Sequence, residues 1–184
     1  RANWAMALVS MRLQDYDSAD RHFRRAIAAR PAPDILNDYG VFLCQRGHSD
    51  KALNYFRQAA TNPRYAQAAD AWTNAGVCLA RAHRGKEAAG YLRKALATDP
   101  KQGQALAQLA RLRFQAGDYL AARGFLQRCD AVTPLQGDLL LLAARNELAL
   151  GEANEARAYL HRYNSGHPGQ TITMEQLTDK KHGG

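Results

Sequence analysis

Arg81, Arg111 and Arg145 are the side chains of this sequence whose type and recurrence point to a chemistry. A guanidinium is a planar donor fork that grips a carboxylate or a main-chain carbonyl. Phe114, Leu141 and Leu148 are interleaved with these arginines. Cations alternating with apolar groups suit an extended segment or an amphipathic helix of another protein. That chemistry is recognition. Bond-making chemistry finds no comparable spacing. His22, His48, His83, His161, His167 and His182 stand apart from one another and read as surface residues. Cys44, Cys78 and Cys129 form no Cys-x-x-Cys pair and have no adjoining histidine set, which argues against zinc. Phosphate loops, Gly-x-Gly-x-x-Gly, Gly-x-Ser-x-Gly and His-Glu-x-x-His are all absent from the sequence. The Asp15/Asp17 pair falls in a predicted turn and suits helix capping better than catalysis. The expectation is a non-enzymatic protein with no catalytic residues, cofactor, metal or small-molecule substrate.

Composition agrees with a folded, water-exposed chain. Hydrophobic residues make up 46% and charged residues 23% of the 184. The net charge of +8 admits an acidic protein, a nucleic acid or an anionic membrane surface as partner. Only Trp4 and Trp72 are tryptophans, and no aromatic platform flanked by Lys or Arg is evident. Nucleic acid is therefore the weaker reading. The longest apolar run, Leu139 to Ala144, is too short to span a bilayer. The chain opens at Arg1 already inside a helical pattern, with no signal peptide, and reads as a fragment of a longer protein.

The elements that must position the arginines are read from a repeat. Trp72, Ala75-Gly76, Leu79, Ala88, Leu92, Ala95 and Pro100 have the spacing of a tetratricopeptide unit. Two antiparallel helices approach closely where one crossing residue is Gly or Ala, and large residues a turn away fill the grooves. Proline then ends the second helix. Pro100, Pro134 and Pro168 recur every 34 residues, as do Gly117 and Gly151 in the turn between paired helices, where Gly47 is also expected. Ala19, Ala52, Ala88, Ala122 and Ala156 step by 33, 36, 34 and 34. The predicted fold is all-α, a right-handed superhelical solenoid of about five such helix–turn–helix repeats. The repeat domain covers 1–168, with repeats at about 1–31, 34–64, 69–100, 103–134 and 137–168. Residues 169–184 read as a polar, frayed tail without a capping helix, with room for one helical turn from Ile172 to Leu177. Met6 and Ala7 are expected at the first crossing and Asp34 as an N-cap. The linker from Asn62 to Gln67 is two residues longer than average and reads as slack.

In this architecture the first helix of each repeat lines a concave groove. Counting from each crossing pair gives the candidate partner-binding residues. Repeat one supplies Trp4, Leu8, Met11 and Arg12. Repeat two supplies Asn37, Val41 and Gln45, with Cys44 beside them. Repeat three supplies Thr73, Asn74, Val77 and Arg81. Arg111, Phe114 and Arg145 follow from the last two repeats, with Gln115, Leu141 and Leu148 near them.

Two stretches are more specific than the generic repeat. They are Leu36-Asn37-Asp38-Tyr39-Gly40-Val41-Phe42-Leu43-Cys44-Gln45-Arg46-Gly47 and Asn74-Ala75-Gly76-Val77-Cys78. With Asn62-Pro63-Arg64-Tyr65 between them, the chain from Trp4 to Pro168 resembles the PilF/PilW pilotin family of type IV pilus biogenesis and stability proteins. The resemblance implies an outer-membrane lipoprotein facing the periplasm that helps the pilus secretin localise and assemble. The expected partner is that secretin, or another protein segment in the groove. Membrane attachment would come only through a lipid anchor outside these residues. The family usually carries six repeats, and the one unaccounted for is the most N-terminal.

Two readings of the cysteines stand side by side. Cys44 and Cys78 are 34 residues apart, inside both family-like stretches, and would pair across adjacent first helices. Otherwise all three cysteines are small buried residues. The rival functions are a cytosolic peptide-binding scaffold or co-chaperone and a nucleic-acid-binding module. A co-chaperone clamp wants Lys and Asn where this sequence has Trp4, Leu8 and Met11.

Overall fold

The structure, a computed structural model, describes residues 2–178. These form eleven α-helices and no strand. The chain divides into two compact units, described separately below, at Gln102 and Gly103. The first holds α1 (Ala2–Arg12), α2 (Tyr16–Ala29), α3 (Pro33–Gln45), α4 (Ser49–Ala60), α5 (Ala68–Arg81) and α6 (Gly85–Thr98). The second holds α7 (Gly103–Gln115), α8 (Tyr119–Val132), α9 (Asp138–Ala149), α10 (Ala153–Gly166) and the short α11 (Met174–Thr178).

Small residues at the crossings bring the paired helices together. A Cβ built on Gly40 would stand 2.7 Å from the Phe56 ring. One on Gly76 would stand 2.5 Å from Leu92 Cγ and 3.2 Å from the Ala88 carbonyl. In the second unit Ala110 and Ala144 are fully buried at the equivalent places. The return helices bury a stripe at helical spacing, as with Ala19, Phe23 and Ala26 on α2. Asp15 caps α2 by accepting the Ser18 N–H at 3.1 Å, and those hydrogen bonds hold its carboxyl below the usual range.

Each pair turns through one residue in the left-handed region. Gly47, Gly117 and Gly151 hold φ of 78°, 75° and 82°. Gln14 and His83 hold the same position at φ of 58° and 57°, where an L side chain is strained. His83 is exposed. His83→Gly is therefore expected to stabilise the protein by about 1 kcal/mol. A denaturant titration checks this, and a midpoint at or below wild type would show that the turn carries no such strain.

Several expectations are corrected. Met6 is 48% exposed and takes no part in the first crossing, which Ala7 and Ser10 form instead. Ala32 is the N-cap of α3, Pro33 opens the helix, and Asp34 lies in its first turn. The linker after α4 is not slack. Tyr65 packs beside Trp72 on a buried cluster of Leu36, Ala59, Ala60 and Ala71. Burial pushes its phenol up to about 12. Asn62 Oδ1 fastens the same turn through the Arg64 N–H at 3.0 Å.

The segment after Pro168 does not fray over its described part. Leu177 is 2% exposed and packs with Ala144 and Leu160, flanked by Ile172 and Met174. Asn164 accepts from the Ile172 N–H at 2.8 Å and donates to its carbonyl at 2.9 Å. Thr173 and Gln176 form a reciprocal capping box at 2.9 and 3.2 Å. The helical turn expected near Ile172 to Leu177 is present as α11, and it docks as a capping helix where a frayed tail was expected. Lys180, Lys181, His182, Gly183 and Gly184, also assigned to the tail, lie outside the described residues.

Candidate protein-binding face

In the first unit the first helices are tied to one another by polar bonds at roughly repeat spacing. Trp4 Nε1 on α1 donates to Asp38 Oδ2 on α3 at 2.9 Å. Burial raises the Asp38 carboxyl, while that hydrogen bond works in the opposite direction. Asn74 Nδ2 on α5 donates to Asn37 Oδ1 on α3 at 3.0 Å. Cys44 and Cys78 form a disulfide between α3 and α5, with Cα atoms 5.7 Å apart. Cys129 is a buried free thiol, and that burial pushes its pKa up.

Among the candidate residues of this unit, Leu8, Arg12, Gln45 and Arg81 are exposed. Trp4, Met11, Asn37, Val41, Asn74 and Val77 are half-buried. Thr73 is a correction. It is fully buried, and its hydroxyl donates to the Ala69 carbonyl at 2.8 Å, so it offers a partner nothing. Thr73 lies three residues before Gly76, on the same side of α5 as the close crossing.

The second unit holds Arg111, Phe114 and Arg145, all half-buried. Phe114 sits against Tyr119 with ring centroids 5.5 Å apart. Arg145 Nε donates to the Leu177 carbonyl at 3.3 Å and so holds the capping helix. Its role as a groove residue needs revision, because its guanidinium has work inside the unit. The sequence reading also missed Asp38, whose signal was its 34-residue spacing from Trp4. Among the described residues no cluster of His, Cys, Asp or Glu could hold a metal. None of the helices there is long and apolar enough to cross a membrane.

One tetratricopeptide repeat family model matches residues 5–66 and 43–103, and a second such model matches 79–134. The crystal structure of PilW, described as a widely conserved type IV pilus biogenesis factor, is 31% identical in sequence. Its TM-score is 0.79, over 95% of this chain and 80% of that one. The chain belongs to the tetratricopeptide-repeat type IV pilus biogenesis proteins. A curated relative, the type IV pilus assembly protein PilF of Pseudomonas aeruginosa strain PAO1, is 24% identical over 123 residues. That match takes in 66% of this chain and 49% of PilF, so the chain spans about half the length of this relative. A solved structure of Pseudomonas aeruginosa PilF agrees in fold, with TM-score 0.80 at 22% identity over 92% of this chain and 77% of that one. As a tetratricopeptide protein of this family, the chain is a protein-binding scaffold.

Proposed function

We propose that this scaffold assists the outer-membrane localisation and assembly of the type IV pilus secretin, working at the periplasmic face of that membrane. The observation that carries this reading is the 31% identity to PilW across 95% of the chain. Covalent closure between α3 and α5 supports it, since a disulfide persists in an oxidising compartment such as the periplasm. Binding uses the first-helix face of the first unit, where the exposed Leu8, Arg12, Gln45 and Arg81 flank the half-buried Val41 and Val77. The rigid ties between α1, α3 and α5 lower the ordering cost of docking a segment there.

The test is a pull-down with the purified periplasmic domains of a type IV pilus secretin. Wild type is expected to retain them. Arg12→Ala/Arg81→Ala is expected to weaken retention about tenfold while helix content and melting stay unchanged. Failure of wild type to retain the secretin would overturn the proposed partner. Undiminished binding by the double variant would remove these arginines from the face.

A further inference from the structure

The return helices of the first unit carry a second feature that the first-helix face does not use. An open cleft of about 1100 Å³ lies between α2 and α4, with α3 as its floor. Tyr39 and Phe42 of that floor are 3% and 4% exposed, and their rings stack at 6.0 Å. Tyr55 meets Tyr39 edge-on at 4.8 Å and stays half-buried.

The rim is basic. Arg21, Arg24, Arg46, Lys51 and Arg57 line it against Asp17 and Asp20. Asp20 is already engaged, accepting from the Tyr39 hydroxyl at 2.6 Å and pairing with Arg24 at 2.8 Å. The other four rim cations have no ion pair among the described residues. Arg21 donates to the Ser18 hydroxyl, Arg57 to the Asn54 side chain, and Arg46 lies 4.4 Å over the Tyr16 ring. Unpaired cations around a concave, partly apolar floor attract and orient an anion.

We propose that this cleft is a second protein-binding site, which takes an acidic peptide segment carrying an aromatic side chain. The carboxylates of the segment meet Arg21, Arg46 and Lys51, its aromatic side chain lies on Tyr55, and Asp17 accepts a backbone N–H. Charge complementarity selects the class of partner. A single-stranded nucleic acid fits less well, because successive bases need a row of open rings on which to stack, and Tyr55 serves one group only. Here Tyr39 and Phe42 are buried, the Arg46 guanidinium occupies one face of the exposed Tyr16 ring, and Asp17 would face phosphate.

The experiment is fluorescence polarisation with the full chain. One labelled probe is a short peptide of Asp and Glu around a single Phe. The other is a labelled thymidine oligonucleotide of equal length. Saturable peptide binding that weakens as salt rises is expected. Arg21→Glu/Lys51→Glu should weaken it about tenfold or more, with helix content retained because both side chains are exposed. If that variant melts early, Arg21→Gln/Lys51→Gln replaces it and should still lose several-fold. Arg81→Ala, on the first-helix face, should leave peptide binding unchanged, which separates this site from the secretin reading. No saturable peptide binding, undiminished binding by the folded double variant, or tighter binding of the oligonucleotide would each overturn the proposal.

Discussion

Replacing Gly76 with leucine is expected to destabilise the protein by about 3 kcal/mol, at the upper end of the overpacking range. Gly76 is buried at the crossing of α5 and α6. The first added carbon would stand 2.5 Å from Leu92 Cγ and 2.7 Å from Leu92 Cδ2. Leu92 is itself fully buried and cannot swing into solvent. The Ala88 carbonyl at 3.2 Å is backbone and yields only if α6 moves as a whole. Interiors packed this densely transmit such a displacement to the next neighbours. Gly90, also on α6, supplies the control, since a Cβ there would meet nothing within 4 Å. Gly90→Ala should hold or raise stability, because alanine is the better helix former. Thermal melts of the two variants decide the matter. A Gly76→Leu melt equal to wild type would mean that the helices are not held by this crossing.

The crossings were legible because their cause is local and periodic. Close approach demands a small residue, and that demand leaves Gly40 and Gly76 at fixed distances from Ala52 and Ala88 on the return helices. Turn glycines were legible at 47, 117 and 151 for the same reason. Gln14 and His83 were not, because nothing in those residue types announces a left-handed backbone. The chain there is forced into the turn by the packing of the helices on either side. Thr73 was misassigned because the count from the crossing pair put it on the groove face, whereas it lies three residues before Gly76 on the side of the close crossing. Its hydroxyl instead satisfies itself on the Ala69 carbonyl one turn back, which makes burial inexpensive.

Long-range contacts account for the remaining differences. Whether Ile172 and Leu177 find a buried surface depends on α9 and α10, which the local composition of the tail does not reveal. A local sign did exist in Thr173-Met174-Glu175-Gln176, which has the capping-box spacing. Arg145 illustrates the consequence. Its position in the repeat suggested a free groove cation, yet the docked α11 presents it with the Leu177 carbonyl. The candidate site was therefore legible as a row of positions, while the availability of each side chain was decided by neighbours far along the chain.

Reduction of the Cys44–Cys78 bridge is expected to cost about 3–4 kcal/mol, on the loop-entropy estimate for a bond spanning 34 residues. The bond joins α3 to α5 directly, and the Asn37–Asn74 hydrogen bond joins the same two helices. Losing the bridge leaves that hydrogen bond and the packing of α4 to hold them in register. Such a bond acts on the unfolded chain as much as on the folded one, by removing conformations the reduced chain regains. Thiol titration under denaturing, non-reducing conditions should therefore find one free thiol, Cys129. Adding a reductant should lower the wild-type melting temperature to that of Cys44→Ala/Cys78→Ala and leave the double variant where it was. The same treatment should weaken the secretin pull-down, because Asn37, Val41, Asn74 and Val77 lie on the two helices the bridge fixes. Three titratable thiols in protein prepared under oxidising conditions, or a melt indifferent to reductant, would show that α3 and α5 are held by packing alone.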